Sequence, residues 1–239
     1  MKLKKLIKPT LLMMLVAAAA STINTDTRIP LYGPFTEQHA RYIATKVIAA
    51  NELVFPGKTI TLVVNSIGGE NSSLKSMLNE LKASKVTVNT EAIDMASSAG
   101  AILFTAGKER TMQKDSKLMF HRARVMLPGP IVLTVTDLKI FQKTGKFPDA
   151  VFKTLPPEVL AMGLIPILTE SIAKLLGEEL TQIINDLEQF NNNIVNLVAK
   201  NIGKSPAFVV KNLLPELDED ITLTARQALE LGVATKIKE

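Results

Sequence analysis

Residues 93–107, Ile93-Asp94-Met95-Ala96-Ser97-Ser98-Ala99-Gly100-Ala101-Ile102-Leu103-Phe104-Thr105-Ala106-Gly107, set two adjacent serines in a run of small residues, followed by an apolar segment and a closing glycine. The pattern predicts a strand end, a tight turn, a buried helix starting at about Ser98 and a glycine stop. A serine at that junction has two readings. As an N-cap, its hydroxyl accepts from the first turn, the commoner use of serine there. As a nucleophile, it stands beside backbone N–H groups that lack intrahelical partners and can hold a developing oxyanion. The flanking sequence decides between them.

Upstream, Arg28 to Gly33 reads as a short strand ending in a turn. Thr36 then caps a helix whose buried face is Ile43, Val47 and Ala50. His39, one turn above Ile43, is expected to be a packing or surface histidine, not a catalytic one. Lys58 to Val64 alternates and then becomes continuously apolar, a buried strand. It runs into Asn65-Ser66-Ile67-Gly68-Gly69, where paired glycines mark a turn or backbone that something approaches closely. Ser72 or Ser73 is expected to cap the next helix, with Leu74, Met77, Leu78 and Leu81 on one face; Val86 to Thr90 is the next strand. Strands alternating with helices imply right-handed crossovers and a parallel sheet, whose ligands bind at the carboxyl ends of the strands. Lys117 to His121 ends another strand on a histidine. A serine, a histidine and backbone donors at one sheet edge are what acyl transfer requires.

Composition narrows the chemistry. The chain has no cysteine, which excludes disulfides and thiolate catalysis, and its two histidines, His39 and His121, argue against a histidine metal cluster. Residues 1–20 carry Lys2, Lys4, Lys5 and Lys8, an apolar run from Leu11, and small residues at Ala18 and Ala20. This predicts a secretory signal peptide and a periplasmic or secreted protein, membrane-anchored if the leader is retained. Without those four lysines the net charge of +5 falls to +1, too little to attract nucleic acid.

These stretches together resemble the proteolytic subunit of Clp protease, the ClpP-like serine peptidases of the wider crotonase-like fold. That family has a Ser-Pro-Gly-Gly turn, an Ala-Ala-Ser-Met-Gly nucleophile segment and a Met-Ile-His strand. Here they stand as Ser66-Ile67-Gly68-Gly69, Ala96-Ser97-Ser98-Ala99-Gly100 and Met119-Phe120-His121, and Leu223 to Val233 matches the family's closing helix and turn. The resemblance implies an α/β fold of repeated β-β-α units, with a mainly parallel sheet flanked by helices and a helical handle. It makes Ser98 the nucleophile, with Ser97 as the fallback, and His121 the general base. The N–H groups of Gly68 and Ala99 become the oxyanion hole, and Gly69 continues the substrate-binding strand. It further implies peptide or unfolded-protein substrates, a ring-forming homo-oligomer, and no metal or organic cofactor. Ile67 replaces the family's proline, and Asp94 stands where a glycine is usual.

The third triad member, which holds the histidine tautomer, is reached by two routes. Counting forward from Gly203 gives Asn212; counting back from the Leu223 segment gives Glu216. Ser205-Pro206 opens a helix leading to Asn212, which is adopted here. Asp218 and Asp220 are the other candidates. One domain is expected over residues 21–239, with an insertion at about 124–167 and handle-like helices at about 168–199. The insertion holds six prolines and follows His121 directly, so a lid, a subunit contact, a membrane-facing patch and a simple elaboration of the core are all open. Two other functions compete with peptidase: a non-catalytic scaffold keeping the fold, and a hydrolase of non-peptide esters or thioesters.

Overall fold

The computed structural model describes residues 26–52, 58–127, 130–216 and 219–239. The expected signal peptide and Asp218 lie outside the described residues. β1 (Asp26–Phe35), α1 (Glu37–Glu52), β2 (Thr59–Gly69), α2 (Asn71–Lys82), β3 (Thr87–Ser97) and α3 (Ala99–Phe104) alternate along the chain. β4 (Arg110–Gln113) and β5 (Lys117–Phe120) follow, then a separate hairpin of β6 (Val125–Met126) and β7 (Val132–Leu133). The helices α4 (Val135–Thr144), α5 (Pro157–Ala161), α6 (Ile165–Leu176), α7 (Leu180–Ile202) and α8 (Pro206–Asn212) come next. β8 (Ile221–Thr224), α9 (Ala225–Glu230) and β9 (Lys236–Lys238) close the chain.

The result is an α/β fold, as expected. β1, β2, β3, β4 and β9 lie side by side in parallel. β3 pairs with β4 through residues 90–92 and with β5 through 95–97, so both short strands lie along one long one. β8 joins β5 antiparallel. Ile60 to Val64 are buried without interruption because helices cover both faces of the sheet. α1 buries Ala40, Ile43, Val47 and Ala50, the predicted stripe with one residue added. Among the described residues, no helix is long and apolar enough to cross a membrane.

The expected strand boundaries are too short, and the reason is register. β2 does not turn at Gly68-Gly69 but continues, because Pro34 and Phe35 of β1 pair with those glycines beyond a bulge. β3 likewise runs to Ser97 by bulging: Val64 faces Ala92 while Ser66 faces Ala96, so three residues of β3 face one of β2. Asp94 sits in that bulge at φ 60, a conformation aspartate tolerates better than most residues, with its side chain exposed. α2 nevertheless starts earlier than expected, with one residue between it and the end of β2. Glu70, not Ser72 or Ser73, stands at its N-cap, and the Ser73 hydroxyl donates to Glu70 Oε2 at 3.1 Å.

Two apolar cores are present. The main one fills the sheet and its helices; the second joins Ile131, Leu133, Leu138, Phe147 and Phe152 to Ile172, Leu176 and Ile184. α7 spans both, with Ile184 in the second core and Ile194, Val195, Val198 and Ile202 in the first. The chain reaches α7 through Gly177 at φ 51, after α6.

Buried charge ties the sheet to the chain end. Arg110 is 8% exposed and donates to the carbonyls of Val233, Gly107 and Gly232 at 2.7, 3.0 and 3.2 Å. Glu91 on β3 is 4% exposed and accepts from Arg28 of β1 and Lys238 of β9. Burial alone would raise the Glu91 pKa, but Arg28 and then Lys238 outweigh it and hold the carboxyl below its ordinary value of 4.5. A depressed folded pKa adds stability above the unfolded value and loses it as pH falls through the folded one. The melting temperature should therefore fall as pH drops from about 4.5, and Glu91→Gln should flatten that limb of a Tm-against-pH profile.

Candidate active site

Ser98 lies between the end of β3 and the start of α3, where the serine turn was expected. Its backbone is at φ 55, ψ −122, and its hydroxyl makes no capping bond. Among the described residues, it and Asp94 are the only non-glycines with positive φ. Such strain costs about 1–3 kcal/mol and persists only where surrounding packing imposes it. Here α3 is buried throughout and the Ser98 N–H is fixed to Met119 O at 2.7 Å. A strained serine at a strand-to-helix turn is the geometry of a nucleophile elbow, which lifts the hydroxyl clear of the backbone.

The pairing of β3 with β5 brings the histidine to this serine. Ser97 is in register with Met119, so His121, two residues on, emerges beside the elbow. Ser98 and His121 line one small cleft with Ala99, Leu74, Ile102 and Asn191. His121 Nδ1 lies 2.6 Å from the carbonyl of Arg122. A carbonyl only accepts, so Nδ1 carries the proton and Nε2 is the basic nitrogen. Ser97 is 5% exposed and faces away in the strand alternation.

Gly68 reaches the same point from β2. At φ +92, a Cβ placed on it would lie 2.7 Å from Ser98 Cβ, 2.8 Å from Ser97 O and 3.0 Å from Ala99 N. Its N–H donates to Ser66 Oγ at 3.0 Å, and that hydroxyl donates in turn to Gly33 O. Gly69 touches β1 instead, where a Cβ would fall 2.2 Å from Phe35 O. Gly68, Ala99, Ser98 and His121 thus converge, with Gly69 one step outside.

The acid candidates are placed differently. Asn212 Nδ2 donates to Phe208 O at 2.8 Å within its own helix, and Asn212 is absent from the walls of the Ser98 cleft. Asp220 is ion-paired with Arg124. Glu216 is exposed and lines a neighbouring polar cleft with Arg122, Lys139 and Glu188. Arg122 holds the loop before Glu216 in place, its Nε donating to Leu214 O at 3.2 Å and Pro215 O at 2.9 Å. His39, as expected, is structural: it pairs with Thr36 Oγ1 at 3.0 Å and packs on Phe35.

One residue of this site escaped the sequence reading. Asn191 of α7 is 3% exposed and stands on the wall between the Ser98 cleft and the polar cleft. The signal was available, because Ile184, Leu187, Asn191, Ile194 and Val198 follow helical spacing and put this one asparagine of the Asn191-Asn192-Asn193 run on the buried stripe.

Comparison with known proteins agrees with this fold. The Clp protease family profile matches residues 14–144. An ATP-dependent Clp protease proteolytic subunit 1 from Protochlamydia amoebophila is 24% identical over 188 residues, 78% of this chain and 68% of that protein. The subunit 1 from Chlamydia pneumoniae is 33% identical over 109 residues, 45% of this chain and 56% of that protein. A subunit 3 from Nocardia farcinica is 28% identical over 120 residues, 43% of this chain and 53% of that protein. The alignments thus span little more than half to two thirds of these relatives' own length.

Proposed function

The chain belongs to the Clp protease family, and from that premise we propose that it is a serine endopeptidase acting through Ser98 and His121. The observation that carries the reading is the Ser98 backbone: strained, uncapped, and opening on the cleft that His121 lines. Without a reacting hydroxyl to present, that strain has no purpose.

His121 Nε2 takes the Ser98 proton as Oγ attacks the substrate carbonyl, then returns it to the leaving amine. Arg122 O holds the productive tautomer from Nδ1. Ala99 and Gly68 supply the oxyanion donors. Gly68 N–H rests on Ser66 Oγ and exchanges that partner for the oxyanion as the intermediate forms. The peptide lies extended along Ile67 to Gly69, adding a strand to backbone already in β conformation. In this reading the protein is secreted or periplasmic through its basic, apolar N-terminus, assembles with copies of itself, and takes short or unfolded peptides.

A serine-reactive fluorophosphonate probe tests the assignment. Wild-type protein should be labelled; Ser98→Ala should lose the label and Ser97→Ala keep it. A folded wild type that stays unlabelled would overturn the nucleophile and favour the non-catalytic scaffold.

A further inference from the structure

α2 and α7 leave between them a cleft of about 510 Å³, lined by residues of both helices and by Ala106 just after α3. That volume lies within the range of about 300–1,000 Å³ usual for small-molecule sites. Leu74 and Ile194 on its walls are buried members of the main core. Leu78, Phe190 and Leu197 pack against that core but remain half-buried, with apolar surface turned to solvent. Packing behind these side chains holds them in place, so the cleft exists before anything enters it. It is not the catalytic cleft: neither Ser98 nor His121 lines it, although the two share Leu74, Phe190 and Ile194.

The charge on its lining has one sign. Lys75 and Lys82 of α2 and Lys200 of α7 line the cleft and are exposed. Among the described residues, no carboxylate lines it, and none of the three lysines has an ion-pair partner.

Walls and charge together select the occupant. A cationic ligand would meet three like charges. A small hydrophilic anion would leave the apolar walls wet and gain only from exposed lysines, which hold such ions weakly. The chain's own N-terminal segment carries Lys2, Lys4, Lys5 and Lys8, the same sign as the cleft. An apolar chain ending in a single negative group satisfies both features. Its chain takes the exposed apolar surface of the walls out of water, and its head neutralises the lysines and sets its direction. We infer that the α2–α7 cleft is a binding site for a single-chain anionic amphiphile, of which an alkyl carboxylate is the simplest form. The chain lies between Leu78 and Leu197, and the carboxylate faces the three lysines. This site does not depend on Ser98 being a nucleophile.

Calorimetric titration with decanoate and with decyltrimethylammonium, both below their micelle concentrations, tests the inference, because the two share a chain and differ in the sign of the head. Decanoate should bind saturably and at least about 10-fold more tightly, since reversing the sign turns three weak attractions into three repulsions. Replacing Lys75, Lys82 and Lys200 together by Gln should bring the ratio of affinities to about 1, and replacing all three by Arg should preserve it. Leu78→Trp, which puts a ring into the cleft, should abolish decanoate binding while a thermal melt shows the protein still folded. Equal affinity of wild type for the two heads overturns the inference, because it marks apolar association without a site. Undiminished decanoate binding in folded Leu78→Trp also overturns it, by placing the ligand elsewhere. A Leu78→Trp protein whose mass in sedimentation falls below that of wild type would assign the cleft to a second copy of the chain instead. The lysine variants change only exposed side chains, so the test stands even where Leu78→Trp does not fold.

Discussion

Ser98→Gly is expected to abolish hydrolysis while making the protein more stable. The loss should be roughly 10^4–10^6-fold in kcat, as follows from removing the nucleophile of a unit whose members act together. The gain in stability comes from the backbone. At φ 55, ψ −122 a serine is strained by about 1–3 kcal/mol. Glycine adopts such angles freely, at a cost of about 0.5–1 kcal/mol in unfolded-chain entropy. The hydroxyl makes no capping bond, so no cap is lost. A net gain of about 1 kcal/mol corresponds to a rise of about 2–4 °C in Tm for a chain of this size. Activity on a fluorogenic peptide and a thermal melt of the same sample read both signs at once. A Ser98→Gly protein that melts lower than wild type would mean that the turn is relaxed, and the strain argument for a nucleophile would fail.

The sequence exposed those parts of this site that are local. A serine between small residues and a buried helix, and a histidine closing an apolar strand, each sit within a few residues and are where they were expected, whereas the glycine pair lies inside β2 and not after it. What stayed hidden depends on pairing between strands. The extension of β2 through Gly69 is imposed by Pro34 and Phe35 of β1, and the bulge at Asp94 by the mismatch between Val64–Ser66 and Ala92–Ala96. Neither alters periodicity enough to be read from one strand. β4 was missed because its four residues are too few to show a period. The structure adds a main-chain carbonyl, at the next residue, beside His121 Nδ1, which no side-chain pattern announces, and of the candidates for the third triad member Asp218 lies outside the described residues. The same contrast holds on α7. Its apolar stripe was legible, but that the stripe serves two cores, with Asn191 at their junction, depends on the course of residues 125–176.

Gly68→Ala should cost at least about 100-fold in kcat, through contact rather than conformation alone. Gly33 provides the comparison. Its φ of +78 resembles the +92 of Gly68, but a Cβ at Gly33 has open space within 4 Å, so Gly33→Ala measures only the strain of a left-handed alanine. At Gly68 the same methyl would meet Ser98 Cβ at 2.7 Å and Ser97 O at 2.8 Å, distances real Cβ atoms do not show. Neither neighbour is the far end of a flexible side chain. Ser98 is held by its N–H to Met119 O and by the buried α3, and Ser97 O is main chain in β3. Relief must therefore come from the elbow itself or from the backbone that carries the Gly68 N–H. Moving the elbow misaims the nucleophile; moving the backbone withdraws an oxyanion donor, which alone is worth about 10^2–10^3 in kcat. Both variants should lose stability, Gly68→Ala more, but Gly33→Ala should retain its turnover per folded molecule. Fluorophosphonate titration of competent sites, set beside peptide hydrolysis, makes that correction for folding. Equal turnover per labelled site in Gly68→Ala and Gly33→Ala would show that the contact between β2 and the elbow has no part in catalysis, and Gly68 would lose its place in the oxyanion hole.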